Sequence, residues 1–254
     1  MKREQLFDSV CNQINEIEGF PISFGCEKLH GAYADFQRLF PIYWPKVKQF
    51  VNLNYSFIIK DYQFFLALDK FINPSILLAT LACAAGAEKG YCKQWYSIIA
   101  KLSSFQKNNN EHIHNLKDML VFNALSGEFD IEQFKNWPLY PETRATEVRV
   151  LYALMTGNSL SIDSDKLYFD NALWLQFYNS LKNNDIKNTK AVLINFAEYF
   201  WNNCEVNETP IYSPEQYPCF EPDYNAALAI ASYHFDKKTD FVEEKYEKFY
   251  IGAL

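Results

Sequence analysis

Residues 73–105 read NPSILLATLACAAGAEKGYCKQWYSIIAKLSSF, and this stretch decides the fold class. Its apolar window, 76–87, is twelve residues long, well short of the roughly 18 to 20 residues that span a bilayer. Asn73 is a favoured helix cap, and Pro74 is a favoured first residue of a helix. We therefore expect core helices here rather than membrane spans, over 74–88 and 91–105.

Apolar residues recur at three- and four-residue spacing along the rest of the chain, which is the period of an amphipathic helix. Glycine is scarce, with 8 residues in 254, so tight β-hairpins and phosphate-binding loops are disfavoured. Pro41 and Gly127 are predicted helix stops. The predicted helices are 3–18, 27–40, 45–71 as one helix or two, 74–88, 91–105, 112–125, 131–137, 143–155, 165–181, 186–202, 223–235 and 241–250.

This pattern predicts an all-α fold of about eleven helices in antiparallel pairs, packed as an irregular helical bundle or a short α-solenoid. No fixed-period repeat consensus is present. No linker rich in Pro, Gly or Ser divides the chain. We expect a single helical domain over 1–254, in which two lobes meet near residue 127.

The net charge of −7 and the pI near 5.2 disfavour binding to nucleic acid, whose phosphates repel an acidic surface. No signal-peptide pattern follows Met1, so we expect a cytoplasmic protein without a membrane segment. The six cysteines contain no C-x-x-C pair. In a reducing compartment they are predicted to stay thiols, with no disulfide.

Known catalytic motifs are missing from the sequence: it has no nucleophile elbow, P-loop, dinucleotide fingerprint or zinc-protease motif. Cys26 and His30 share a helix face, but a zinc site needs about four ligands. His234 is interpreted as a packing histidine of the core or the lobe contact. The sequence therefore predicts neither an enzyme, nor a cofactor, nor a metal site.

The residues from 191 to 236 form an acidic segment without lysine or arginine. Its acids equal the whole formal net charge of the chain, so the remainder is balanced and the acidity is local. The seven acidic residues are Glu198, Glu205, Glu208, Glu215, Glu221, Asp223 and Asp236.

Within the acidic segment, 204–222 is predicted to be a loop with four prolines at four-residue intervals. Loops of this length are uncommon in compact domains unless they have a function. Aromatic and acidic side chains together are typical of an interface anchor. The alternative is a surface loop that only covers the helix ends. The predicted partner-binding residues are Tyr212, Glu215, Tyr217, Phe220, Glu221 and Asp223.

The closing block 220–235, FEPDYNAALAIASYHF, joins an acidic Pro-aromatic stretch to a helix of small residues. Together with the acidic, all-α character of the chain, it resembles the helical immunity proteins of bacterial polymorphic toxin systems. This resemblance implies stoichiometric binding of a cognate protein toxin, occlusion of the toxin's active site and no turnover. A partner with a basic surface would be steered by the acidic segment.

Two other classes of function compete with this interpretation. An α-solenoid scaffold would bind a peptide or protein in a groove along successive helices. An all-α enzyme would need carboxylates that converge only in three dimensions, for which the candidates are Glu142, Glu147, Asp165 and Asp170. Glu142, Arg144, Glu147 and Arg149 are more simply interpreted as an ion-pair network at a helix start. The sequence assigns no oligomeric state.

Overall fold

A computed structural model describes residues 12, 30–51, 62–103, 113–128, 145–160, 169–205, 222–236 and 241–242. Every element in these ranges is an α-helix, which confirms the all-α class for this part of the chain. The helices are α1 (His30–Val51), α2 (Tyr62–Ala84), α3 (Lys89–Ser103), α4 (Ile113–Ser126), α5 (Thr146–Thr156), α6 (Phe169–Lys182), α7 (Ile186–Glu205) and α8 (Pro222–His234).

The chain divides into two compact units, Met1–Phe122 with Ala253 and Asn123–Gly252 with Leu254. In the first unit α1 packs on α2, and α2 packs on α3. In the second unit α5 packs on α6, α6 on α7, and α7 on α8. Among the described helices, the main packing is therefore between each helix and the next described one along the chain. The single domain with lobes meeting near residue 127 stays a prediction.

Prolines interrupt the first unit less than the sequence predicts. Helix α1 continues through Pro41 and Pro45, both exposed, and α2 continues through the buried Pro74. The predicted stop at Pro41 and the predicted start at Pro74 are therefore wrong. A proline inside a helix costs about 3 kcal/mol, so packing of the surrounding side chains has to outweigh that cost here.

Aromatic side chains supply this packing along α1. Phe36 and Phe40 have ring centroids 5.4 Å apart, and Phe40 stacks on Trp44 at 5.6 Å. Trp44 then meets the edge of the buried Trp95 in α3 at 5.9 Å. Because rings four residues apart lie on one helix face, this contact requires α1 to stay helical across Pro41.

The C-terminal half of α2 forms a core helix, as its apolar sequence predicts. Leu78, Leu81 and Ala84 are all fully or almost fully buried. Within the described residues no helix is long and apolar enough to cross a membrane. Gly127, with φ of 73°, follows α4 directly, which confirms its predicted role as a C-terminal cap.

A tight turn joins α2 to α3. The backbone N–H of Ala87 donates to the carbonyl of Ala82 at 3.0 Å, and that of Gly86 donates to the carbonyl of Cys83 at 3.1 Å. This is the Schellman pattern, and Gly86 supplies the left-handed backbone it needs, with φ of 99°. The two helices therefore form a hairpin with a turn of four residues.

The hairpin brings Cys83, near the end of α2, opposite Cys92 in the first turns of α3. Their Cα atoms are 6.0 Å apart, and the two cysteines form a disulfide. The prediction that no disulfide forms is therefore wrong for this pair. Sequence spacing failed to indicate it, because residues nine apart become neighbours only when a short turn folds one helix back on the other.

The turn between α6 and α7 repeats the Schellman pattern without glycine. Asn184 adopts φ of 51°, and the N–H of Asp185 donates to the carbonyl of Ser180 at 2.8 Å. Asp185 then caps α7, since its Oδ1 accepts from the N–H of Asn188 at 3.0 Å. Thr189 donates its hydroxyl to the carbonyl of Asp185 at 2.8 Å. These bonds set the start of α7 and hence its direction.

Candidate functional site

The candidate site is the acidic segment, and the structure describes the two helices on either side of its loop. Helix α7 ends at Glu205, three residues beyond the predicted end of that helix, and α8 begins at Pro222. The connection between them, 206–221, lies outside the described residues. Five of the six predicted partner-binding residues fall in it, namely Tyr212, Glu215, Tyr217, Phe220 and Glu221.

An aromatic cluster holds the two flanking helices together. It consists of Trp174 and Phe177 from α6, Phe196 from α7 and Tyr224 from α8, all buried. Phe196 lies 4.9 Å from Trp174 and stacks on Tyr224 at 4.9 Å between ring centroids. Trp174 also meets the edge of Phe177 at 6.0 Å. Tyr224 is the third residue of α8, so the cluster anchors the chain immediately after the 206–221 connection.

Asp223 is the one predicted partner-binding residue that the structure describes. It lies in the first turn of α8 and is only 5% exposed. A carboxylate at a helix N-terminus is stabilised by the helix dipole, which provides a structural reason for an acid at this position. A direct contact between Asp223 and a partner would need its side chain to leave the interior, so its partner-binding role stays a prediction.

Helix α8 is a buried helix. Every residue from Asp223 to Ser232 is buried, on all faces of the helix. Small side chains such as Ala226, Ala227 and Ala231 let the surrounding chain approach the α8 backbone closely. The small-residue block noted in the sequence is therefore a core helix, and the surface available to a partner has to come from neighbouring residues.

Apart from the Asp185 cap, the charged side chains of α7 run against its helix dipole. Lys187 and Lys190 lie near the N-terminus, whose partial charge is positive, whereas Glu198 and Glu205 lie towards the negative C-terminus. Such a charge costs roughly 0.3 to 1 kcal/mol within the terminal turn of a helix, which applies to the exposed Lys187. Glu198 is exposed further along the helix. The backbone itself contributes a negative partial charge at the end of α7 that leads into 206–221.

A group of exposed side chains lies at the N-terminal end of α7, opposite the end that leads into 206–221. His234 Nε2 and Asn184 Oδ1 form a hydrogen bond at 2.8 Å, which ties the end of α8 to the turn between α6 and α7. Tyr233 is 58% exposed and Ile186 is 42% exposed. His234 is exposed as well, so its interpretation as a core histidine is wrong. At 1.5 Å per residue, the twenty residues of α7 separate this group from Glu205 by about 30 Å.

The carboxylates named for an enzyme are only partly described. Glu147 lies half-buried in the first turn of α5 with an interaction partner. Glu142, Arg144 and Asp165 lie outside the described residues, as does the side chain of Asp170. Among the described side chains no three His, Cys, Asp or Glu residues come together as metal ligands do.

Two tyrosines have perturbed acidity. Burial raises the pKa of Tyr91. Burial likewise raises the pKa of Tyr152, opposed by a hydrogen bond with Asn158. In both residues burial disfavours the phenolate form.

Comparison with known proteins yields no match. Neither a protein-family model, nor a curated protein, nor a solved structure matches this chain.

Proposed function

We propose that this chain is an immunity protein that binds a cognate bacterial toxin and occludes the toxin's active site without turnover. The partner would have a basic surface, and binding would take place in the cytoplasm through the acidic segment. The proposal involves no catalysis, cofactor, metal, nucleic acid or membrane. About eleven helices in antiparallel pairs, as an irregular bundle or short α-solenoid, would make up the whole fold.

The charge arrangement on α7 is the main support for this proposal. A helix selected for stability alone favours acids at its start and bases at its end, whereas α7, apart from the Asp185 cap that precedes it, has no acid in its first turn and no base in its last turn. Local rules are most often broken at functional sites. A negative potential focused at one end of a helix attracts a basic partner and speeds association.

The anchoring of the flanking helices supports the same proposal. The sixteen residues of 206–221 begin after α7 and end at α8, and the Phe196–Tyr224 stacking holds these helices together. Fixing both ends of a binding segment lowers the ordering entropy that association has to overcome. Tyr212, Tyr217 and Phe220 would then supply buried contact area, while Glu215 and Glu221 would pair with basic residues of the partner.

A scaffold is the second candidate function, and one observation favours it. The described helices pack mainly on their neighbours along the chain, which is the contact pattern of an α-solenoid. A solenoid presents a groove along several helices, so its ligand would be displaced by substitutions spread over successive helices. An immunity protein would instead be sensitive to substitutions concentrated in the acidic segment.

Charge reversal tests the proposal. The probe is the protein encoded immediately upstream of this chain, and its binding kinetics are measured at low and moderate salt. Glu215→Lys with Glu221→Lys should slow association and weaken its salt dependence. The control, Glu88→Lys with Glu128→Lys, changes the net charge equally at exposed positions elsewhere and should affect association much less.

Truncation of the aromatic residues tests the contact surface. Tyr217→Ala or Phe220→Ala should weaken binding mainly by speeding dissociation. For a central anchor the loss of binding free energy is about 2 kcal/mol, which raises Kd roughly 30-fold. Asp223→Asn should lower stability without a specific effect on binding, because the carboxylate is buried. Equal binding by wild type and every variant would refute the proposal, and early unfolding of the loop variants would assign the loop to packing.

A further inference from the structure

We propose that Cys83 and Cys92 form a reversible redox pair, a disulfide modification site that locks the α2–α3 hairpin under oxidising conditions and releases it under reducing conditions. The proposal is independent of the proposed function. It rests on where the hairpin places the two cysteines and on how the same hairpin is held together without their bond.

The positions of the cysteines suit a bond that can open and close. Cys83 is the last but one residue of α2 and Cys92 the fourth residue of α3. Their Cα separation of 6.0 Å lies within the range that a disulfide bridges without backbone movement. They are 7% and 3% exposed, and the turn above them includes the partly exposed Gly86 and the exposed Glu88. We therefore place the approach of a small thiol at this turn, on the side of Cys83.

The hairpin does not depend on the disulfide. The Schellman hydrogen bonds of Gly86 and Ala87 shape the turn. The two helices also pack on each other, and both carry buried apolar residues such as Leu81 and Ile99. Reduced cysteines are compatible with this apolar interior, since a buried thiol behaves as a small hydrophobic group. Both redox states consequently fit the same fold, and the bond changes the stability of the hairpin rather than its architecture.

Exchange with a small thiol such as glutathione proceeds in two balanced steps. Its thiolate attacks the sulfur of Cys83, the disulfide breaks, and Cys92 leaves as a thiolate that takes up a proton. A second thiol attacks the mixed disulfide and releases Cys83, so two cysteine thiols and one molecule of glutathione disulfide result. Two electrons pass to the protein, and the protons come from the two glutathione thiols. Excess glutathione disulfide reverses both steps.

The order of these steps follows from the geometry. Cys83 is the more exposed of the two residues, at 7% against 3% for Cys92, so we assign the attack to its sulfur. Cys92 lies near the N-terminus of α3, where the helix dipole and the neighbouring Lys93 favour a departing thiolate. A trapped intermediate should therefore carry glutathione on Cys83 and a free thiol on Cys92.

Peptide mapping of the full-length protein tests the pair directly, because Lys89 lies between the two cysteines. Tryptic peptides 71–89 and 90–93 should be joined after equilibration with glutathione disulfide and separate after reduction of the native protein. Quenching partial reduction with an alkylating agent should place glutathione on peptide 71–89 and the alkyl label on peptide 90–93. Adding glutathione disulfide after reduction should restore the joined peptides.

Thermal unfolding measures how much the disulfide stabilises the protein. Closing a loop of about ten residues should raise the Tm of the oxidised protein by about 5 to 10 °C over that of the reduced protein, with equal helical circular dichroism below the transition. Cys83→Ser and Cys92→Ser should each abolish the joined peptides and the redox dependence of Tm. The control Cys204→Ser should retain both.

Three results would overturn the proposal: unjoined peptides in the oxidised wild-type protein, a bond that resists reduction until the protein is denatured, or loss of the helical signal on reduction. Should the serine variants fail to fold, alkylation of the wild-type protein still decides between these outcomes.

Discussion

Phe196→Ala should destabilise the second unit severely, because Phe196 is the centre of the aromatic cluster. Its side chain is 1% exposed and lies within 4.9 Å, between ring centroids, of both Trp174 and Tyr224. Truncating a buried Phe to Ala removes burial and leaves a cavity, at a cost of about 3 to 5 kcal/mol. For a chain of this length that corresponds to a Tm lower by roughly 6 to 20 °C.

Chemical denaturation measures this loss, with tryptophan fluorescence and circular dichroism followed in parallel. Asn195→Ala is the matched control, since it changes the exposed neighbour on the same helix and should stay within about 0.5 kcal/mol of wild type. A cost below about 1 kcal/mol for Phe196→Ala would refute the assignment of this residue to the core.

A double-mutant cycle isolates the stacking between α7 and α8. Phe196→Leu and Tyr224→Leu are each measured alone and then together. The stacked pair at 4.9 Å should show a coupling of about 0.5 to 1.5 kcal/mol. Additive costs would mean that the rings contribute burial but no specific contact, and the anchoring argument for 206–221 would lose its basis.

Two further predictions concern the backbone and pH. Gly157→Ala and Gly90→Ala both introduce a methyl group into open space, but of the two glycines only Gly157 has a positive φ, of 75°. In thermal unfolding, Gly157→Ala should cost about 1 to 2 kcal/mol, whereas Gly90→Ala should stabilise α3 by up to about 1 kcal/mol. Equal effects of the two substitutions would contradict the backbone argument. The raised pKa of Tyr91 means that only the unfolded state ionises as pH first rises past 10. The stability from this buried neutral hydroxyl is therefore complete below pH 10 and falls progressively above it. Tyr91→Phe should flatten the fall in unfolding free energy above about pH 10, and an unchanged pH profile would count against the burial of this hydroxyl.

The helical class and several helix bounds follow from the sequence alone. The predicted helices 186–202 and 223–235 correspond to α7 and α8 within three residues at each end. Helix 112–125 corresponds to α4 within one residue, and Gly127 caps it as predicted. These elements combine helical periodicity with a local stop or start signal, so residues close in the sequence carry the information that determines them.

Where packing between distant residues opposes a local signal, the sequence misleads. Pro41 and Pro74 indicate helix boundaries by their chemistry, yet the aromatic contacts of Phe40 and Trp44 span Pro41 in α1, and burial of Ile72, Ser75 and Leu78 surrounds Pro74 in α2. His234 lies in an apolar stretch that indicates the core, but α8 ends at this residue and its ring is exposed beside Asn184. In each case the missing information is which surface the helix presents to its neighbours.

At the candidate site, too, some features of the acidic segment follow from the sequence and others only from the tertiary structure. Its seven acids, its missing bases and its position between two helices are determined by the sequence. The tertiary structure alone decides the burial of Asp223, the contact of α8 with the aromatic cluster and the Cys83–Cys92 disulfide. Charge and helical period are local properties of a chain, whereas burial and pairing depend on which residues a turn or a neighbouring helix brings within a few ångströms.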